Sequence, residues 1–280
     1  MNNSEIIRLV QIALNEDIRT GDITAESIFP ERGAWTHGIF LGKSEGIVCG
    51  MKVAHMVFQI VSGNSIVWEP LVNDGDYIEP GTALARIEGE ARDMLSGERT
   101  ALNFMQRMSG VATKTARYVA AIQDTDAKIL DTRKTIPGWR ELDKYAVRTG
   151  GGYNHRMGLY DMALIKDNHI SAAGGIKQAI SLCREYIGED IPLEVEADTI
   201  EQVIEILNCK GVNRIMFDNF TVEQTKAAVE IVNGAVETET SGGVDIKTIR
   251  QYALTGVDYI SVGALTHSAN ALDISLDLDF

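Results

Sequence analysis

Six short runs decide the fold: AKILD at 127–131, MALIKD at 162–167, PLEVEA at 192–197, RIMFDN at 214–219, AVETETSGG at 235–243 and DYISVGA at 258–264. Each is a brief β-forming stretch, and the chain between successive runs suits a helix, so alternating strands and helices imply a parallel sheet. Their starts lie roughly two to three dozen residues apart, the spacing of βα units. Asp131, Lys166, Glu196, Asp218, Ser241 and Gly263 each fall at or just past the end of a run. Polar groups spread over many strand ends favour a barrel, whose C-terminal rim carries the chemistry. A doubly wound sheet would gather its ligand groups at one switch point behind a Gly-rich turn, and neither GxGxxG nor GxxxxGK[ST] occurs.

Upstream the rhythm differs. Ile6, Ile7, Leu9, Val10, Ala13 and Leu14 recur at helical spacing over 4–16, and a GDIT turn follows at 21–24. The runs GIFLG (38–42), GIVCG (46–50), SIVWEPL (65–71) and ALARIEG (83–89), with a helix over 51–60 and a break at NDGDYIEPG (73–81), predict a small α/β domain. The Asp74-Gly75-Asp76 turn and the Met51-Lys52 pair suggest a biotinyl-type hairpin, but Lys52 falls in the expected helix. Residues 91–122 read as nearly continuous helix with a possible break at Ser109-Gly110. The expected division is an N-terminal α/β domain over 1–108 and a barrel domain over 109–269, with 270–280 packing back on the first.

With 40 Asp and Glu against 26 Lys and Arg, the formal net charge of −14 disfavours nucleic acid and anionic membranes as partners. Cys49, Cys183 and Cys209 are far apart and without CxxC spacing, so buried reduced thiols are expected rather than disulfides or a zinc site. The first residues lack a basic segment followed by an apolar run, and no run approaches a membrane span, so a cytoplasmic protein is expected.

Against that acidic background, residues 131–169 carry seven Lys and Arg (Arg133, Lys134, Arg140, Lys144, Arg148, Arg156, Lys166) against five Asp and Glu, together with His155 and His169. Guanidinium forks match carboxylates and phosphates, so a small anion is expected here; a surface of solvated charges is the bland alternative. Gly150-Gly151-Gly152 before Asn154-His155-Arg156 allows close backbone approach. Glu196 and Asp218 end consecutive strands and suit a hard cation such as Mg²⁺ bound with substrate phosphate oxygens. Glu194 shares the side-chain direction of Glu196 in an ideal strand, and both could instead pair with Lys166. Ser241-Gly242-Gly243 and Val262-Gly263-Ala264 are small-residue turns of the kind that hold phosphate in barrels.

The ordered motifs EDIRTGDIT (16–24), ERTALNFMQRMSGVAT (98–113), LDTRKTIPGWR (130–140), KYAVRTGGGYNHRMGL (144–159), IKDNHI (165–170), LEVE, FDNF, SGGV and VGALTHSA resemble those of quinolinate phosphoribosyltransferases over almost the whole chain. The resemblance implies an incomplete α/β barrel with an N-terminal α/β sandwich-like domain, and homodimers with shared active sites. It implies transfer of phosphoribosyl from phosphoribosyl pyrophosphate to quinolinate with decarboxylation, in NAD biosynthesis. By motif position, Arg99 would reach in from the neighbouring subunit, and Arg133, His155, Arg156 and Lys166 would hold the pyridine dicarboxylate, with Thr132 beside them. Lys134 and Lys166 would contact phosphoribosyl pyrophosphate, and Glu196 and Asp218 its ribose and Mg²⁺, partly through substrate or water. Lys134, Lys166, Glu196 and Asp218 form the implied catalytic set. Ser241, Gly242, Gly243, Val262, Gly263 and Ala264 would bind the 5-phosphate, with His267 adjacent. FDNF and VETETSGG depart slightly from the family's usual LDNM/LDNF and VEASGG without removing a proposed ligand. A related branch associated with molybdenum-transport genes tends to lack the DTRKT and NHR pattern.

Competing readings keep the same residues. Lys166 at a strand end could serve as a Schiff-base nucleophile of an aldolase. A non-catalytic binder of phosphorylated ligands would retain the pocket without turnover. A nicotinate-using phosphoribosyltransferase would need fewer cations. His155 is the obvious candidate to protonate a carbanion, and equally a donor to a carboxylate.

Overall fold

A computed structural model describes residues 3–280, which divide into two compact units. One comprises the residues up to Ala116 with Ile136–Gly151 and Ser268–Phe280; the other comprises Arg117–Thr135 and Gly152–His267. Along the chain come α1 (Asn3–Asp17), α2 (Ile23–Ile28), β1 (Trp35–Gly42), β2 (Gly46–Ile47), α3 (Met51–Ser62), β3 (Val67–Pro70), β4 (Tyr77–Ile78), β5 (Ala83–Glu90) and α4 (Ala91–Ala121). There follow β6 (Lys128–Leu130), α5 (Arg140–Thr149), β7 (Ala163–Ile165), α6 (Asp167–Ala173), α7 (Ile176–Ile187), β8 (Leu193–Ala197) and α8 (Ile200–Leu207). Last are β9 (Arg214–Asp218), α9 (Val222–Val232), β10 (Glu237–Ser241), α10 (Ile249–Ala253), β11 (Tyr259–Ser261), α11 (Ala264–His267) and β12 (Ile274–Asp279).

The first unit holds an antiparallel sheet of order β12-β1-β5-β3. The tail joins it because ISLDLD alternates: Ile274 and Leu276 are buried while Asp277 faces out, and β12 runs beside β1 from His37↔Asp279 to Gly42↔Ile274. Two local expectations need correction. The GDIT turn opens helix α2, because the Asp22 side chain accepts the Ala25 N–H at 2.9 Å and so caps it. Helix α4 has no break at Ser109-Gly110. Gly110 is there for space, since a Cβ at that position would lie 2.0 Å from the Asn270 carbonyl oxygen. Lys52 lies in the first turn of α3, in the helix expected for it and not at a hairpin tip.

In the second unit, all six runs quoted at the outset are strands of one parallel sheet, in the order β6-β11-β10-β9-β8-β7. Strands β6 and β7 are adjacent in sequence yet stand at opposite edges, so the sheet curls as an incomplete barrel; Tyr153 extends the β6 edge through a parallel bridge to Leu130. Val195, Ala197, Ile215, Phe217 and Ile260 are fully buried in its walls. Strand β8, LEVEA, is buried along its whole length despite two glutamates. Burying a charge is costly unless it is paired, so those two positions mark where the barrel does chemistry or bracing.

Candidate active site

The C-terminal strand ends of this barrel surround a cavity of about 470 Å³. Thr132, Arg133 and Lys134 enter it after β6, and His155 and Arg156 from the segment after the glycine run. Lys166 follows β7, Asp218 and Asn219 close β9, Ser241, Gly242 and Gly243 follow β10, and Ser261 ends β11. Ten of the residues singled out by sequence therefore meet in one cavity.

At the rim, the Lys166 ammonium sits 2.5 Å from Glu196 Oε2, with Lys166 half-exposed and Glu196 buried. Carboxylate oxygens of Glu196, Asp198 and Asp218 lie within 4.8 Å of one another. Burial pushes Asp218 above the usual aspartate range; Lys166 and Lys134 oppose this, while Asp198 and Asp167 add to it. Three hard oxygens so close, with Lys166 already drawn to one, fit a small divalent cation. Asn219 shapes the neighbouring turn: its backbone is left-handed (φ +57), its N–H reaches the Ser241 carbonyl at 2.8 Å, and its Nδ2 donates to Asp218 at 2.6 Å. Gly242 must be glycine, because φ is +95 and a Cβ would lie 2.1 Å from Asn219 Oδ1.

Lys134 is fixed from two sides. Its N–H donates to Thr132 Oγ1 at 3.1 Å, and its carbonyl accepts from Thr266 Oγ1 at 2.8 Å. Gly263 packs so closely that an added Cβ would meet Lys134 Cδ at 3.0 Å and the His267 ring at 3.3 Å. Ala264 begins α11 beside them. Val262 differs from the other turn residues: it is buried and its N–H is committed to the Leu130 carbonyl at 2.9 Å, so that amide cannot serve a phosphate.

Beneath the cavity lies a buried charged floor. His155 Nε2 is 3.0 Å from Glu194 Oε2 and 3.5 Å from Glu239 Oε1, and both glutamate side chains are fully buried. Arg214 Nη1 meets Glu239 Oε2 at 3.0 Å, the Ser261 hydroxyl donates to Glu239, and the Arg214 guanidinium stacks 3.9 Å over Tyr259. Burial opposes a charge on His155, but the two carboxylates outweigh it and hold the His155 proton with a pKa of about 9. Burial and Glu239 push Glu194 up to about 7. Those two directions describe competition for one proton. The Arg156 backbone nitrogen lies 2.7 Å from His155 Nδ1, so the ring and the start of the Arg156 residue are held close together.

Sequence reasoning gave Arg140, Lys144 and Arg148 to the anion cluster, but they lie on α5 in the first unit, where Lys144 is buried. Arg99 is exposed on α4 in that unit. Of the thiols only Cys49 is buried; Cys183 and Cys209 are half-buried, and all three are free. Asp198 was missed although it stands two positions beyond Glu196, and Asp131, Arg214 and Glu239 were missed as members of the floor. Asp131 had the clearest signal, a carboxylate at a strand end that here accepts the His155 N–H at 2.9 Å.

Fold and cavity together define a barrel enzyme for small polyanionic substrates. The family is given by comparison with known proteins: the quinolinate phosphoribosyl transferase N-terminal domain matches residues 22–109 and the C-terminal domain of the same family matches 111–277. The chain belongs to the quinolinate phosphoribosyl transferase family. A probable nicotinate-nucleotide pyrophosphorylase (carboxylating) of Bacillus subtilis strain 168 is 43% identical over 280 residues, covering 99% of this chain and 95% of that protein. The mitochondrial quinolinate phosphoribosyltransferase (decarboxylating) 2 of Nicotiana glauca is 45% identical over 294 residues, covering 98% of this chain and 82% of its own. The crystal structure of NadC from Streptococcus pyogenes superposes with a TM-score of 0.95 at 37% identity, covering 100% and 98% of the two chains. Among the described residues no helix is long and apolar enough to cross a membrane.

Proposed function

We propose that the chain transfers the phosphoribosyl group of phosphoribosyl pyrophosphate to quinolinate with loss of CO₂, giving nicotinate mononucleotide and pyrophosphate in NAD biosynthesis. The observation that carries this is the convergence of Arg133, Lys134, Arg156 and Lys166 on the same cavity as Asp218, with Glu196 paired to Lys166 beside it, in a chain matched along nearly its full length by the family. Arg133 and Arg156 supply forks for the two carboxylates. Lys134 and Lys166 stand where they can neutralise the diphosphate, and Ser241, Gly242, Gly243, Gly263 and Ala264 form the small-residue surface for the 5-phosphate, with His267 beside it. Glu196 and Asp218, with Asp198, would hold Mg²⁺, partly through substrate or water; when bound, the ion offsets charge on the departing pyrophosphate.

The protein's work is positioning and electrostatics. As the C1–O bond of the ribose breaks, its electron pair leaves with pyrophosphate, and the carbon turns oxocarbenium-like. The ring nitrogen of quinolinate, held in line by its carboxylates, supplies the new bond. That nitrogen is then cationic, so heterolysis of the adjacent C–CO₂ bond leaves an electron pair the pyridinium stabilises, and a proton completes nicotinate mononucleotide. No covalent nucleophile is needed. Lys166 faces Glu196 and a diphosphate subsite, an arrangement that favours charge neutralisation over imine formation.

Active sites shared across a homodimer are part of the same reading, with Arg99 of a second copy reaching quinolinate, and so is a cytoplasmic location. Mixing Arg99→Ala with Lys166→Ala protein should then restore turnover that neither variant has alone; no recovery in re-assorted mixtures would remove the sharing of sites. For the reaction itself, purified protein is given phosphoribosyl pyrophosphate and Mg²⁺ with quinolinate or nicotinate in parallel. Mg²⁺-dependent nicotinate mononucleotide from quinolinate alone is expected. Product from nicotinate without CO₂ would move the chain to non-decarboxylating chemistry, and silence with both would leave a binder.

A further inference from the structure

We infer that Asp22 is a positioning residue for Arg99: its carboxylate ties the start of α2 to Ser96 on α4, and so sets where the exposed face of α4 that carries Arg99 stands. The inference rests on the proposed reach of Arg99 to quinolinate in a second copy. It gives a role to EDIRTGDIT (16–24), a stretch absent from the lining of the barrel cavity. Asp22 Oδ1 accepts the Ala25 N–H at 2.9 Å and Asp22 Oδ2 accepts the Ser96 hydroxyl at 3.1 Å, so one side chain joins two helices. Arg92, Ser96, Arg99 and Asn103 stand at i, i+4, i+7 and i+11, which is one face of a helix. The first two are tied down: Arg92 Nη2 lies 3.4 Å from Glu26 Oε1, and Ser96 is held by Asp22. Arg99 and Asn103, further along the same face, are exposed.

The rest of the first two turns of α4 is anchored as well. Glu90 Oε2 accepts the Arg92 N–H at 3.0 Å and the Asp93 N–H at 3.3 Å, which caps the helix, and Arg32 holds buried Asp93 through two contacts of 3.0 and 3.1 Å. Gly97 meets α3 so closely that an added Cβ would lie 2.9 Å from the Phe58 ring. Ser96 and Gly97 therefore fix α4 against α2 and α3 immediately before Arg99 emerges, where an error in helix placement passes directly to the guanidinium. Gly21 makes room for the Glu26 contact: its φ is +141, and an added Cβ would lie 2.6 Å from Glu26 Oε1, the oxygen facing Arg92. A plain helix cap is the other role open to Asp22, and it accounts for the Ala25 contact only. It leaves out Ser96, 74 residues away in sequence.

The experiment separates cap from tie. Ser96→Ala removes the tie and leaves the cap, whereas Asp22→Asn keeps a cap and a polar group facing Ser96. Ser96→Ala and Asp22→Ala should each raise the KM for quinolinate about three- to tenfold, the range of one lost hydrogen bond, with the KM for phosphoribosyl pyrophosphate unchanged. Asp22→Asn should stay close to wild type. In an Arg99→Ala background neither change should raise the KM for quinolinate further, because both act through that residue. A further rise there, or equal rises in the two KM values, would overturn the tie. Hydrogen exchange of the ligand-free protein gives a reading that needs no turnover. In Asp22→Ala the amides of 96–100 should exchange faster along with those of 23–28, and a change confined to 23–28 would make Asp22 a cap and nothing more. Should Asp22→Ala fail to fold, Ser96→Ala carries the same test: faster exchange over 23–28 is expected although that helix keeps its cap, and unchanged exchange would overturn the tie. If the wild-type protein does not turn over quinolinate, the functional reading falls while the exchange data still decide the tie.

Discussion

The rim and the floor of one barrel are built from the same chemistry and used in opposite ways. At the rim, Lys166 is half-exposed and Glu196, Asp198 and Asp218 crowd together beside open space. On the floor, His155, Glu194, Glu239 and Arg214 make a comparable set of charges, but both glutamates are fully buried and each cation has a partner in the wall. Charges facing solvent can exchange protein partners for a substrate or a metal; charges sealed in a barrel cannot, and serve to fix geometry. The residue types in LEVE and ETETS do not distinguish these uses. Burial does.

The largest effect is expected where the floor is broken. Arg214→Met leaves Glu239 buried without its cation, and urea unfolding should show a loss of about 3–5 kcal/mol. A loss below about 1 kcal/mol would mean the floor is not a sealed network. Next comes the rim's turn: Gly242→Ala forces a Cβ onto Asn219 at a φ of +95, at a cost of about 1–3 kcal/mol. That should appear as a tenfold or greater fall in kcat/KM for phosphoribosyl pyrophosphate, roughly the rate equivalent of 1.4 kcal/mol; normal kinetics would remove the turn from the phosphate subsite. Arg133→Lys keeps the charge and loses the fork, so turnover should drop by more than about tenfold, and wild-type rates would sink the bidentate assignment.

The smallest effect is a shift in pH dependence. Burial raises the pKa of Asp218, with Asp198 among the like charges that add to it, so the acid limb of a cation-dependent rate should lie above that of an ordinary aspartate. Asp198→Asn removes a like charge, favours ionised Asp218, and should move that limb to lower pH at saturating Mg²⁺. Movement to higher pH would show that Asp198 does not act on Asp218.

What was legible in the sequence follows the same division. The rim could be read because strands β6, β7 and β9 end where an apolar run meets a polar residue, with Thr132 to Lys134, Lys166 and Asp218 at those joints, and because Ser241 to Gly243 form a small-residue turn closing β10. The floor could not be read, because it depends on register. Arg214 lies opposite Glu194 on one side and Glu237 on the other, and Glu239 enters the barrel two residues further along β10. ETETS looks like a polar edge strand, yet Thr238, Glu239 and Thr240 are all buried. Likewise, α5 shares a charge-rich stretch with the cavity residues, but its Lys144 is buried in the first unit.

The most direct test of the account follows the carboxyl groups. Quinolinate labelled separately at its two carboxyl carbons is incubated with the protein and Mg²⁺, with and without phosphoribosyl pyrophosphate, and labelled CO₂ is collected. Release only from the carboxyl next to the ring nitrogen, and only when phosphoribosyl pyrophosphate is present, is the expected result, because ribosylation creates the electron sink that permits the loss. Release without phosphoribosyl pyrophosphate, or from the other carboxyl, would contradict it.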